Sequence, residues 1–125
     1  MLVKDIMAKN FTSVQTKTSV FDAIKLLLKS KENVLVVLDA RKSVLGMVND
    51  KDLLVSLDFL GAKKAKDVCV GEVMSKELIS LSTDSSVEEA VQILVRDNVS
   101  SIPVSEDNNV VGLITRRDVL KKHME

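Results

Sequence analysis

Two stretches of the chain set a short polar side chain three residues ahead of an aspartate: Thr115 with Asp118, and Asn49 with Asp52. Each stands where an apolar run ends and a helical pattern begins. The spacing [TN]-x-x-D has two readings. As structure it is a capping pair, with Thr115 or Asn49 accepting from backbone N–H groups and the aspartate reaching back to the cap residue. As chemistry, the same helix start offers unpaired N–H groups and positive potential to an anion such as phosphate. An ionised carboxylate beside it accepts from two adjacent hydroxyls, the pattern of ribose 2′ and 3′ groups. On this reading Thr115 serves phosphate and Asp118 ribose. Arg116 and Arg117 add positive charge beside Thr115, whereas Asp50 and Lys51 hold those places in the earlier stretch, so the two sites should differ. Arg117 is the better phosphate candidate; the alternative is a solvated arginine at a helix start.

Other chemistry has little to work with. The one histidine, His123, lies in K-K-H-M-E at the C-terminal end, where fraying is the default. The sequence holds no phosphate-loop, dinucleotide or nucleophile-elbow motif and no metal-spaced His or Glu pair, and its four glycines make a phosphate-cradling loop hard to build. No residue set supplies a nucleophile, an oriented base and an oxyanion stabiliser, so the chain does not read as an enzyme. Cys69 is the single cysteine: it makes no internal disulfide or Cys-based zinc site, reads as a small buried or linker residue, and fits a reducing compartment.

At 125 residues the chain fits one domain of ordinary size, burying about two thirds of its unfolded surface. Eighteen basic residues balance eighteen acidic ones, and three Phe with no Trp or Tyr give no stacking platform for bases. Only Lys63–Lys66 and the Arg116–Arg117 pair favour nucleic acid. The longest strictly apolar run, Val34–Leu38, is far short of the roughly eighteen residues that span a bilayer. The N-terminal residues lack the long apolar core of a signal peptide. Together these place the protein in the cytoplasm.

The polar pairs sit in an internal repeat. V-K-D-I-M (Val3–Met7) recurs as V-G-E-V-M (Val70–Met74). Val20, Ala23, Ile24, Leu27 and Leu28 are answered by Val87, Ala90, Val91, Leu94 and Val95, one amphipathic helix written twice. Ser19 with Asp22 and Ser86 with Glu89 open the two helices, the second being the better capping box. Apolar and β-branched runs follow at Val34–Leu38 and Val44–Val48, then at Ile102–Val104 and Val110–Ile114. Their turns, Asp39–Lys42 and Asp107–Asn109, differ by one residue, after which G-M-V-N-D-K-D-L overlies G-L-I-T-R-R-D-V. The unit is β-α-β-β-α.

Residues 1–60 and 70–125 are thus two repeats joined by 61–69, in which G-A-K-K-A-K reads as a solvated connector. A repeat of this size is marginal alone, so the halves are expected to bury their sheets against one another. Leu53, Leu54, Leu57 and Leu60 follow helical spacing in the first closing helix and exceed their counterparts Val119, Leu120 and Met124. They form a dimer face or complete the module's own core.

Duplication, element order, S-I-P-V at Ser101–Val104 and the G-hydrophobic-hydrophobic-[TN]-x-x-D endings together resemble a tandem pair of cystathionine β-synthase (CBS) domains, over nearly the whole chain. The resemblance implies an α/β fold in which two repeats pack sheet to sheet about a pseudo-twofold axis, with two clefts that commonly bind adenosine-containing ligands and regulate other proteins. It implies a main cleft using Asp118 for ribose, Thr115, Arg117 and Ser101 toward phosphate, and Thr18, Ala23, Asn33 and Val34 around the base. The second cleft would use Asn49 and Asp52 with Ser85, Ala90, Ser100 and Ser101. It departs from the pattern: Asn49 replaces the usual Ser or Thr, Asp50 is negative, and Val36 stands where Pro103 stands in the other copy. The family often forms flat homodimers through exposed helices. These implications favour a sensor of AMP, ADP, ATP or S-adenosylmethionine that requires no cofactor and acts on a partner or on its own assembly. A ligand-free interaction or scaffold subunit is the competing class, with nucleic-acid binding a weaker one.

Overall fold

The computed structural model describes residues 1–76, 79–97 and 99–125. Its elements are β1 (Thr12–Val14), α1 (Val20–Lys29), β2 (Val34–Leu38), β3 (Val44–Asn49), α2 (Asp50–Lys64), β4 (Leu81–Ser82), α3 (Val87–Arg96), β5 (Ser101–Glu106), β6 (Asn109–Thr115) and α4 (Arg116–His123), with single 3-10 turns at Val3–Asp5 and Val70–Glu72. The expected β-α-β-β-α order is present twice. By compactness the chain forms one unit of Phe11–Leu78 and another of Met1–Asn10 with Ile79–Glu125. Spatial grouping therefore crosses the sequence repeat: each V-x-[DE]-[IV]-M leader lies with the body of the other copy.

In the unit Phe11–Leu78, β1 runs parallel to β2, which pairs antiparallel with β3. Alternation along β2 sends Leu35 and Val37 into a core with Val14, Val20, Ala23, Leu27, Val48, Leu53, Ala65 and Val70. Val34 and Val36, on the opposite face, are buried too. Helix α1 buries Val20, Ala23 and Leu27, but Leu28, expected in the same stripe, is 80% exposed, as is its counterpart Val95 at 73%. At 3.6 residues per turn Leu28 stands about 80° round the helix from Val20, at the margin of the buried face. The four leucines of α2 likewise divide. Leu53 is in the core, Leu57 packs against it, Leu60 is half-buried and Leu54 faces solvent.

Gly61, at φ 79°, interrupts α2, a left-handed backbone that glycine adopts without a Cβ clash. The chain beyond it is exposed through Lys66, as its lysines suggest, at every position but one. Lys63, Lys64 and Lys66 are exposed, but Ala65 is fully buried in the core. Its carbonyl accepts from Phe21 N (3.0 Å), and Val68 O accepts from Val20 N (2.8 Å). Lys25 and Lys66 place their ammonium groups 4.7 and 4.9 Å from the Phe21 ring centroid.

The other unit repeats the plan with β4 parallel to β5 and β5 antiparallel to β6. Its core joins Val3, Leu81, Ala90, Leu94, Ile102, Val104 and Ile114. Pro103 lies in the central strand, where a missing N–H ordinarily costs a ladder bond. Leu113, its partner in β6, exchanges both of its backbone bonds with Ala8 on its far side. Pro103 N therefore points toward β4, whose pairing begins only at Leu81↔Val104. In the first copy Val36 holds this place, and β1 extends far enough to pair Ser13 with it. The β5–β6 turn narrows to Asp107–Asn108, both at positive φ (52° and 69°), with Asn109 already in β6; this is the two-residue hairpin geometry that Asn and Asp tolerate. In the first copy Asp39 Oδ1 accepts from Arg41 N and Ser43 N (2.8 and 2.9 Å), while Lys42 takes the positive φ of 66°.

Candidate functional site

Each sheet ends in a tight strand-to-helix junction. At the junction of β6 and α4, Thr115 Oγ1 accepts from Asp118 N (3.1 Å). Asp118 Oδ2 in turn accepts from both Thr115 N and Thr115 Oγ1, each at 2.9 Å. This is a reciprocal capping box, so the structural reading of the [TN]-x-x-D spacing holds. The chemical reading survives beside it, because the box uses one carboxylate oxygen. Oδ1 accepts no bond among the described residues, and Asp118 is half-buried. The cap thus fixes the carboxylate and leaves an acceptor oxygen oriented by the helix.

The β5–β6 register adds a third group. Ser101 is the direct partner of Thr115, and the two are buried polar residues at 9% and 8% exposure. A hydroxyl pair and a carboxylate therefore meet in one corner of this unit. Arg117 opens α4 exposed to solvent. Arg116 points elsewhere: its Nε and Nη2 donate to Leu94 O (3.3 and 3.2 Å) near the end of α3. That contact suits a cation beside a helix C-terminus.

The junction of β3 and α2 has the same box with different chemistry. Asn49 Oδ1 accepts from Asp52 N (2.8 Å), and Asp52 Oδ2 accepts from Asn49 N (3.1 Å). The amide lacks the hydroxyl proton that Thr115 gives Asp118, and the β2 partner of Asn49 is Val34, an apolar residue where Ser101 stands in the other copy. Asp50 Oδ1 accepts from Lys51 N (2.8 Å).

The remaining sequence candidates occupy varied settings. In the unit Phe11–Leu78, Thr18 is half-buried with its Oγ1 accepting from Gln15 N (3.2 Å). Asn33 is exposed at φ 53° immediately before the buried Val34, and Ala23 is committed to the core. In the other unit Ala90 is likewise core. Ser100 is exposed, and Ser85 Oγ accepts from Ser82 N (3.1 Å). Of the helix caps, Ser19 and Ser86 each accept from the N3 amide, at 3.0 and 3.1 Å. Glu89, expected to complete the second box, meets the Ser86 hydroxyl at 3.4 Å instead. His123 Nδ1 lies 2.9 Å from Val119 O on the exposed end of α4, and Cys69 is half-buried. Among the described residues no cluster of His, Cys, Asp and Glu could hold a metal ion, and no helix is long and apolar enough to cross a membrane.

The sequence signal that reveals the Ser101–Thr115 pairing is the offset of the repeat itself: S-I-P-V overlies V-L-V-V, setting Ser101 on Val34. Antiparallel register then brings each against its cap residue.

Duplicated three-stranded sheets, each closed by a capped helix at a polar strand end, define a tandem-repeat α/β module. The CBS domain family model matches residues 3–58 and again 70–125, and the chain belongs to that family. It is 28% identical over 123 residues to CBS domain-containing protein YhcV of Bacillus subtilis, a match covering 98% of this chain and 85% of that protein. It is 29% identical over 119 residues to L-aspartate semialdehyde sulfurtransferase of Methanocaldococcus jannaschii, across 94% of this chain. The chain spans only 22–23% of the length of that enzyme and of two inosine-5′-monophosphate dehydrogenases. Among solved structures, the CBS domain pair of protein MJ0100 in complex with 5′-methylthioadenosine and S-adenosyl-L-methionine superposes with a TM-score of 0.85 at 27% identity, covering 99% of this chain and 96% of that one. CBSX2 in complex with AMP gives 0.86 at 28% identity, covering 98% and 96%.

Proposed function

We propose that this chain is a cytoplasmic regulatory module that binds an adenosine-containing ligand, AMP, ADP, ATP or S-adenosylmethionine, and passes its occupancy to a partner or to its own assembly as an energy or metabolite sensor. The observation that carries the proposal is the corner formed by Ser101, Thr115 and Asp118. The capping box holds Asp118 by Oδ2 and leaves Oδ1 to accept from a ribose hydroxyl. The Ser101 hydroxyl and the exposed Arg117 offer donors to a phosphate, while the Thr115 proton stays on Asp118 Oδ2 and fixes the carboxylate. Relatives of the same fold that are bound to AMP or to S-adenosyl-L-methionine support the choice of ligand class. The corner with Asn49, Asp52 and Val34 lacks the hydroxyls and ranks second.

Calorimetric titration with AMP, ATP and S-adenosylmethionine tests this, with Asp118→Ala, shown by circular dichroism to be folded, as the control. Saturable binding that the substitution weakens at least tenfold is expected. Absence of heat with all three ligands would remove the sensor reading.

For assembly the reading is a homodimer, supported by large apolar side chains left on helix surfaces. Leu54, Val55 and Phe59 on α2 are 67, 59 and 87% exposed, and Leu120 and Met124 at the end of the chain are 66 and 86% exposed. Sedimentation of Phe59→Glu beside the parent checks it: a shift from dimer to monomer is expected, and an unchanged mass removes α2 from the interface. If the dimer forms but no ligand binds, the same faces favour the scaffold reading.

A further inference from the structure

The two leader segments dock on the two units through the same set of backbone bonds, to which the second adds Gly71 N donating to Thr16 O at 3.0 Å. Val3 N donates to Ser85 O at 2.9 Å, and Val70 N to Thr18 O at 2.7 Å. Val87 N donates to Met1 O at 3.0 Å, and Val20 N to Val68 O at 2.8 Å. Ala8 and Leu113 exchange two bonds (2.7 and 2.9 Å) on the outer edge of β6, and Ser75 and Met47 exchange two (2.9 and 3.1 Å) on that of β3. Beneath each leader a glycine makes a notch for a methionine. A Cβ on Gly112 would lie 2.6 Å from Met7 Sδ, and one on Gly46 would lie 2.6 Å from Met74 Sδ. Val3 and Val70 are both fully buried in the cores they enter.

One groove design thus recognises one pattern, V-x-[DE]-[IV]-M-[AS], whose first three residues form a 3-10 turn, twice in a single molecule. It combines one bridge at a sheet edge, through Ala8 or Ser75, with buried side-chain anchors, so that main-chain bonds give affinity and pockets give specificity. The segment Met1–Asn10 fills its groove on a body, Ile79–Glu125, from which the residues 11–78 separate it in sequence. Its connection runs through Lys9 and Asn10, both exposed. We infer that this groove is a docking site for the N-terminal arm of a second copy of the chain. Opening at Lys9–Asn10 lets an arm seat on the equivalent body of a neighbour with every bond retained, the condition under which exchange between copies is inexpensive.

The test uses the full chain with a protease site inserted between Lys9 and Asn10, cut after folding. A fluorescein-labelled peptide of residues Met1–Lys9 is titrated into the cut protein, followed in parallel by fluorescence anisotropy and circular dichroism. Saturable uptake of the parent peptide, with at least tenfold weaker uptake of a Val3→Asp peptide, is expected. With both chains carrying Phe59→Glu, so that dimerisation through α2 does not contribute, intact labelled chain added to cut chain should then form a complex of doubled mass in light scattering, and a Val3→Asp donor chain should not. Retention of the cut arm without exchange, equal uptake of both peptides, unfolding that the peptide does not reverse, or no complex with intact chain overturns the inference.

Discussion

Ser101 lies directly across from Thr115 in the β5–β6 ladder, and both side chains are buried at the junction where Asp118 caps α4. The same register in the other copy pairs Val34 with Asn49. One sheet end therefore gathers two hydroxyls and a carboxylate, and its counterpart an amide, a carboxylate and an isopropyl group. This difference gives the duplicated chain two unequal polar corners.

Replacing Ser101 with Val copies the first repeat into the second. If Ser101 faces phosphate, Ser101→Val should weaken AMP binding by about tenfold, the loss of one hydrogen bond to a charged group, while adenosine, which has no phosphate, binds the variant and the parent alike. Calorimetry with both ligands separates these outcomes; equal loss for AMP and adenosine would assign Ser101 to another part of the ligand.

Gly112 should tolerate no side chain while Met7 occupies its notch. A Cβ there would also stand 2.9 Å from Ala8 O, so Gly112→Ala is expected to cost about 1–3 kcal/mol from overpacking. Met7→Ala relieves only the thioether contact, so the double variant should recover part of that cost, with a coupling of at least about 0.5 kcal/mol in urea unfolding. Strict additivity would show that Met7 does not fill the notch.

Ala65 is the sharpest test of the segment after Gly61. Ala65→Asp places a carboxylate in the core of the unit Phe11–Leu78 and should destabilise by about 3 kcal/mol or more. Lys64→Asp, at an exposed neighbour, should stay within about 0.5 kcal/mol, and Lys66→Asp, which gives up its contact with the Phe21 ring, within about 1 kcal/mol. Thermal unfolding of the three variants distinguishes a docked strap from a free connector, for which all three would behave alike.

Much of this architecture was legible in residue spacing. The α1 and α3 stripes, the run Val34–Leu38 and both capping pairs follow from periods of 3.6 and 2 and from cap chemistry, which are local. Less legible were features set by distant packing. G-A-K-K-A-K looks solvated because lysines dominate it, and a single alanine carries its burial. Leu54 and Leu57 share one spacing pattern, yet only Leu57 reaches the core, because the width of a buried face depends on what lies opposite. The leaders repeat plainly in sequence, but their seating on the body of the other copy depends on cores and glycine notches built by distant residues, which a local pattern does not encode. At the polar corners, Thr115 and Asp118 were evident from their spacing. The single oxygen that the cap consumes and the second that it leaves free are matters of geometry alone.

The central claim is that Asp118 receives a ribose hydroxyl, and the most direct measurement is a double-mutant cycle on protein and ligand together. Binding of AMP and of its 2′,3′-dideoxy analogue is measured by calorimetry with the parent and with Asp118→Asn. Loss of the hydroxyls should weaken binding to the parent by about ten- to a hundredfold, the worth of a hydrogen bond to a charged acceptor, and should change binding to Asp118→Asn far less. Equal losses in the two proteins, or equal binding of the two ligands by the parent, would contradict the account.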